Sequence, residues 1–307
     1  MSHWIGDLPR PLAFVLSGGA SLGATQVGML EALAEVGAEP DVVVGSSVGS
    51  LNGAVLAGCG DVGAAARRLR ATWEGLRTAD VFPRGVLRQA RNLTRQRTLY
   101  SSEGLRRLID RSLPVRSFET LRIPLAVVAV DARTGHSVTL VEGPLLPALL
   151  ASTAIPGLLP PVRVGRRTLW DGGVTDQVPL VPAVSIGARA IVVLDAGDVC
   201  HLDTAPRPLP EGIVLALNTA IRQRVLLEAP LLARRVPLVY LPRPCARNRN
   251  PLDLDSAATL IDPARHLTSE FLATAGPPAD GAMAGHPHMH EDGAYSHPAL
   301  VASTPDR

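Results

Sequence analysis

The chain has 307 residues, 46% of them hydrophobic, with 30 basic and 28 acidic side chains, enough to bury a sizeable core as one large domain or two small ones. A net charge of +2, with every basic residue an arginine, is too near balance to announce a polyanionic partner and excludes nucleic-acid binding as the default reading. Three cysteines, Cys59, Cys200 and Cys245, are too few and too odd in number for a disulfide framework and lead us to expect a reducing, cytoplasmic setting.

The stretch up to Leu16 has no basic cluster ahead of a long apolar run, so no signal peptide is expected. Residues 12–16 read as a strand that ends at Ser17-Gly18-Gly19. After Gly23, the positions Val27, Leu30, Leu33 and Ala34 follow the 3.6-residue period of a helix that stops near Gly37. Residues 41–44 are β-branched and short, Gly45-Ser46-Ser47-Val48-Gly49 is a tight connection, and residues 51–57 continue as a helix of small residues ending near Gly58 and Gly60. Two consecutive strand-loop-helix units predict a parallel sheet.

Further along, helical patterns at 63–76, 103–113 and 213–227 alternate with strand patterns at 125–130, 138–141, 190–194 and 236–241, so the chain is α/β throughout. Arg84, Arg88, Arg91 and Arg95 recur at helical steps, with Val86, Leu87, Ala90 and Leu93 between them. Such a helix either buries its apolar face on the core or lies transiently on an anionic membrane, where as a mobile cap it would give interfacial activation. The apolar segment 144–162 is broken by Pro147, Pro156, Pro160 and Pro161, which excludes a membrane span. No composition change precedes residue 275, so one domain over 1–275 is expected, followed by a Gly/Pro/His-rich flexible tail over 276–307. Within that tail, His286-x-His288-x-His290 offers metal-binding spacing without preorganised geometry.

Gly45-Ser46-Ser47-Val48-Gly49 matches G-x-S-x-G between a strand and a helix, the setting in which this motif makes a nucleophile elbow with Ser47 exposed on a sharp turn. A plain strand-to-helix turn of small residues fits the same pattern. The loop Ser17 to Gly23 is glycine-rich at a strand's C-terminal end, yet Ala20 breaks the dinucleotide fingerprint and no Gly-Lys-Ser/Thr ending marks a phosphate loop. Nucleotide binding is therefore the weaker reading, and backbone N–H groups beside Ser47 fit an oxyanion hole. A serine nucleophile needs a base. His136, His201 and His266 have no compelling setting, whereas Asp171 in Trp170-Asp171-Gly172-Gly173-Val174 follows a short apolar run and precedes a tight turn.

In this order, the glycine loop, the elbow and the Asp-Gly-Gly turn resemble the patatin-like phospholipase family. Gln26 to Leu30, Ala151 to Gly157 and Asp171 to Pro179 are similar to the same family, and the resemblance covers roughly residues 10 to 200. It implies a three-layer α/β/α fold with a mainly parallel sheet. It also implies a lipid acyl hydrolase working through an acyl-enzyme, with Ser47 as nucleophile and Asp171 as its base. The amides of Gly18, Gly19, Ala20 and Val48 would form the oxyanion hole, and Gly23, Gly45, Gly49, Gly172 and Gly173 would be motif glycines. Ile155, Leu158, Leu159 and Trp170 could supply the dry surround that a carboxylate base requires. The substrate would be a lipid or other hydrophobic ester, with no cofactor, no metal and no nucleic acid. Leu22 departs from the family pattern, which carries Arg or Lys there; its loss of a cation motivates the alternative of a catalytically silent lipid- or partner-binding module. The oligomeric state is not readable from the sequence.

Overall fold

Strand β1 (Leu12–Leu16) is buried along its whole length in the computed structural model, which describes residues 3–83, 85–96, 98–197, 209–246 and 250–287, with backbone alone at 86–88, 95–96 and 209–219. Its residues alternate between two cores: Leu12, Phe14 and Leu16 pack on one face of the sheet, Ala13 and Val15 on the other. Burial on both faces explains why the strand reads as a continuous apolar run rather than an alternating one.

Helix α1 (Ala24–Glu35) follows, then β2 (Val42–Ser46), α2 (Val48–Cys59), α3 (Val62–Gly75) and the short α4 (Thr78–Val81). Next come α5 (Val86–Gln96), α6 (Glu103–Ser112), β3 (Leu125–Asp131), β4 (Ser137–Leu140), α7 (Leu145–Ser152), β5 (Val162–Val164) and β6 (Arg167–Asp171). The described chain closes with α8 (Leu180–Ser185), β7 (Ala190–Leu194), α9 (Leu209–Ala233), β8 (Leu238–Tyr240), α10 (Ile261–Thr274) and β9 (Met283–Ala284).

The nine strands of the described residues form one sheet in the order β5-β6-β3-β2-β1-β7-β8-β9, with β4 paired to β3. The run from β3 through β2, β1, β7 and β8 to β9 is parallel, and β4, β5 and β6 are antiparallel additions at one side. Helices α1, α2, α3 and α10 contribute to the larger core on one face, while α8 and α9 cover the other, giving the mainly parallel three-layer architecture that the family resemblance implies. Among the described residues, no helix is long and apolar enough to cross a membrane.

Three local differences have physical causes. The proline-broken segment 144–162 contains α7, because Pro147 is the third residue of the helix, where its missing N–H has no intrahelical acceptor to lose. The boundary at residue 275 falls short of the sheet: Met283 and Ala284 pair with Leu238 and Val239, a two-residue strand too short to give any periodicity. Among the described side chains of α5, Asn92 is buried and its amide donates to the Leu99 carbonyl, while Leu93 is 48% exposed and not packed on the core. Arg91 is exposed on the same helix; Arg84 and the side chains of Arg88 and Arg95 lie outside the described residues, as do His201, His288, His290 and His297.

Candidate active site

The site is assembled on one edge of β3. Val128 pairs with Ser46 on one side and Thr139 on the other, and the next residue, Ala129, pairs with Asp171 on one side and Val138 on the other. Because β4 occupies one edge throughout, β2 and β6 share the opposite edge and meet there end to end. The parallel strand finishes at Ser46 and the antiparallel strand finishes at Asp171 in consecutive register positions. Both chains must turn out of the sheet at this junction, and the residues that turn out are Ser47 and Gly172.

Ser47 has φ 51° and ψ −127°, a left-handed conformation that a residue with a Cβ adopts only under constraint. Its N–H donates to Ser152 Oγ at 2.9 Å, and that hydroxyl donates onward to the Val128 carbonyl at 2.6 Å, so α7 ties the elbow to the strand that templates it. Space explains the flanking glycines: a Cβ at Gly45 would reach within 2.6 Å of the Gly49 carbonyl, and one at Gly49 would overlap the Leu16 carbonyl. Ser47 also occupies the N-cap position of α2 without a side-chain capping bond, so its hydroxyl stays with Asp171 at the positive end of the helix.

The Ser47 hydroxyl donates to Asp171 Oδ2 at 2.7 Å, and the Gly173 N–H donates to Asp171 Oδ1 at the same distance. A Cβ at Gly172 would overlap the Val128 carbonyl, so only glycine lets the chain turn this close to β3. The carboxyl is 4% exposed, and burial pushes its pKa up to about 6 against the opposing pull of the Ser47 hydroxyl and the Gly173 amide. Its own backbone N–H is held by the Ala154 carbonyl, which brings the Ala151 to Gly157 stretch against the pair.

The glycine loop lies alongside. Gly18 is a correction to the expected amide set, because its N–H already donates to the Gln177 carbonyl at 2.8 Å. Ala20 sits at φ 49°, a strained position for alanine, and starts a 3₁₀ turn that ends at Gly23. Among the described residues, the amides of Gly19, Ala20 and Val48 have no acceptor. A Cβ at Gly23 would come within 2.5 Å of Val48, so that glycine lets the loop close onto the start of α2. Leu22 is 1% exposed and belongs to the core, which places an apolar anchor where the family pattern carries a cation.

Ser47, Ala20 and Val48 open onto an apolar cavity of about 100 Å³ that runs between α2, α3 and α6, with Trp73, Phe82 and Ile109 among its walls. Of the apolar surround expected for Asp171, Ile155 and Leu159 line this cavity, while Trp170 pairs with Val130 in the sheet. The sequence reading missed Ser152, since nothing local marks a serine at a helix end as the acceptor for an amide 105 residues away. His136 lies in the exposed turn that joins β3 to β4, and His266 is an exposed residue of α10.

The strand-elbow-helix unit and the facing Asp-Gly-Gly turn lie within residues 14–184, which the family model for patatin-like phospholipase matches. The chain belongs to that family. An uncharacterized NTE family protein of Mycobacterium tuberculosis is 32% identical over 190 residues, which covers 61% of this chain and 49% of that protein. Patatin-like phospholipase domain-containing protein 6 of Homo sapiens is 30% identical over 189 residues, covering 61% of this chain and 13% of that protein. The chain thus spans less than half the length of these relatives. The solved structure of VipD from Legionella pneumophila aligns with 87% of this chain and 67% of its own at a TM-score of 0.47 and 14% identity.

Proposed function

We propose that the protein is a serine acyl hydrolase that cleaves lipid or other hydrophobic carboxylic esters through a Ser47–Asp171 dyad. The observation that carries this reading is the 2.7 Å hydrogen bond from a strained, cavity-facing serine to a buried carboxylate. Ser47 Oγ attacks the ester carbonyl carbon while its proton passes to Asp171 Oδ2. The developing oxyanion is received by the free amides of Gly19, Ala20 and Val48, with the α2 N-terminus adding positive potential. Collapse of the tetrahedral intermediate breaks the bond to the leaving alcohol, which takes the proton from Asp171 and leaves an acyl-Ser47 ester. Water then attacks that ester, giving one proton to Asp171, and the carboxylic acid departs as Ser47 Oγ regains it.

A carboxylate at its ordinary pKa is a weak base for this task, and burial that raises Asp171 to about 6 brings its proton affinity closer to working pH. The apolar cavity supports an acyl chain as the bound group. Approach to a membrane surface through α5 is supported by the exposure of Arg91 and Leu93 on one helix, and a cytoplasmic setting by the scarcity of cysteine. The test is a fluorophosphonate probe with the adduct located by peptide mass spectrometry. A single adduct on Ser47, abolished in Ser47→Ala and strongly reduced in folded Asp171→Asn, is expected. A folded protein whose Ser47 stays unmodified contradicts the enzyme reading and leaves a binding role for the same cavity.

A further inference from the structure

Three buried side chains that the dyad does not use connect the apolar cavity to the glycine loop. Gln26 on α1 is fully buried, Asn52 on α2 is 2% exposed and Trp73 on α3 is 5% exposed. The Gln26 amide nitrogen donates both of its protons, to the Ser17 carbonyl at 2.9 Å and the Leu194 carbonyl at 3.0 Å. Its Oε1 accepts from Asn52 Nδ2 at 2.8 Å, and the second Nδ2 proton goes to the Gly23 carbonyl at 3.0 Å. Asn52 Oδ1 in turn accepts the Trp73 indole N–H at 3.2 Å.

The polarity of this chain is forced. Two carbonyls face the end of Gln26, so nitrogen must point at them; its oxygen then requires a donor from Asn52, and the remaining Asn52 oxygen requires a donor-only group, which an indole is. Every amide proton has one acceptor, and no flipped arrangement satisfies the set. The two carbonyls held from this side, Ser17 and Gly23, are the first and last residues of the loop that presents Gly19 and Ala20. The far end of the chain, Trp73 with Asn52, forms wall of the cavity beside Ser47. One connected network therefore touches the space for the substrate's apolar part and fixes both ends of the strained loop.

We propose that Gln26, Asn52 and Trp73 are positioning residues that couple filling of the apolar cavity to the placement of the loop amides. The proposal rests on the acyl-hydrolase reading above. An acyl chain packed against Trp73 holds the indole, the indole fixes Asn52, and Asn52 with Gln26 fixes the two carbonyls that set the loop. Chain length then acts on the chemical step and not on binding alone, since a small misplacement of oxyanion donors costs rate.

The experiment compares kcat and KM for p-nitrophenyl butyrate and p-nitrophenyl octanoate in the wild-type protein, Trp73→Phe and Gln26→Met. Wild-type kcat is expected to be higher on the octanoate by about tenfold. Trp73→Phe, which keeps an aromatic ring in the wall while removing the N–H donor together with one ring of the indole, is expected to erase most of that kcat difference while the KM preference for octanoate survives. Gln26→Met is expected to lower kcat on both esters; if it does not fold, Trp73→Phe decides the matter, because it leaves the Ser17 carbonyl bonded to Gln26 and the Gly23 carbonyl bonded to Asn52. Unchanged kcat ratios in Trp73→Phe, or an effect confined to KM, overturn the coupling while the hydrolase reading stands. A wild-type protein that hydrolyses neither ester and resists fluorophosphonate overturns the hydrolase reading, and the coupling with it.

Discussion

Two buried aspartates stand at the C-terminal ends of strands in this sheet, and they are dressed alike up to a point. Asp171 ends β6 and Asp195 follows β7; each accepts the N–H of the glycine two residues on, Gly173 at 2.7 Å and Gly197 at 2.9 Å. Each also accepts a serine hydroxyl, from Ser47 at 2.7 Å and from Ser17 at 2.8 Å. They then diverge. Asp195 receives the Tyr240 hydroxyl at 2.7 Å and has the buried Arg243 guanidinium 3.6 Å away, whereas among the described residues no basic side chain pairs with Asp171. Ser17 is further engaged, since its Oγ accepts the Ala196 N–H at 2.8 Å. The same Asp-x-Gly device is thus an anchor where a cation and further donors satisfy it, and in the proposed dyad it serves as a base where it meets only a serine and one amide.

Removing the charge should therefore do opposite things at the two positions. Asp171→Asn is expected to cut ester hydrolysis by about 10³-fold, the middle of the range for loss of a general base. It should not cost stability. Burial lifts the native Asp171 pKa to about 6 from 3.8, so the group favours the fold fully below its unfolded-state pKa and that contribution is lost as pH rises through about 6. At neutral pH the variant should melt higher, by the equivalent of about 3 kcal/mol, as thermal unfolding will show. Asp195→Asn should do the reverse: it removes the carboxylate that faces the buried Arg243 and accepts from Ser17, Gly197 and Tyr240, a hub for the glycine loop, lowering stability by about 3 kcal/mol in denaturant titrations. The fraction that stays folded should still label at Ser47. A rise in stability for Asp195→Asn, or a fall for Asp171→Asn, would break the distinction.

The smallest effect is expected at Ser152. Ser152→Ala leaves the Ser47 N–H and the Val128 carbonyl without the hydroxyl that bridges them, at a cost of about 1–3 kcal/mol in unfolding free energy, with activity reduced several-fold because the elbow loses a tie.

Much of this arrangement was legible in the sequence, for identifiable reasons. β1, β2 and β7 announce themselves because strands buried on both faces leave unbroken apolar runs, and the elbow is legible because its glycines are demanded by backbone contact at Gly45 and Gly49. Asp171 is different: its turn alone is uninformative, and its pairing with Ser47 entered through family resemblance rather than through pattern. The physical reason is that β6 is a short strand beginning with Arg167, on the antiparallel side of the sheet, so neither length nor periodicity marks it. Gly18 shows the converse limit, since a loop's composition does not reveal which of its amides is already bonded to Gln177. The Trp73–Asn52–Gln26 chain was invisible for the same reason, because its bonds join three helices over separations of 21 and 26 residues.

The central claim, that Asp171 is the base for Ser47, is tested most directly by the pH dependence of the rate at which a fluorophosphonate modifies Ser47 in the wild-type protein and in Asp171→Asn. The wild-type rate should rise with pH through a single titration centred near 6, as the buried carboxyl ionises, and then level off. The variant should label about 10³-fold more slowly, with no titration in that range. An Asp171→Asn protein that labels at the wild-type rate with the same midpoint would contradict the dyad.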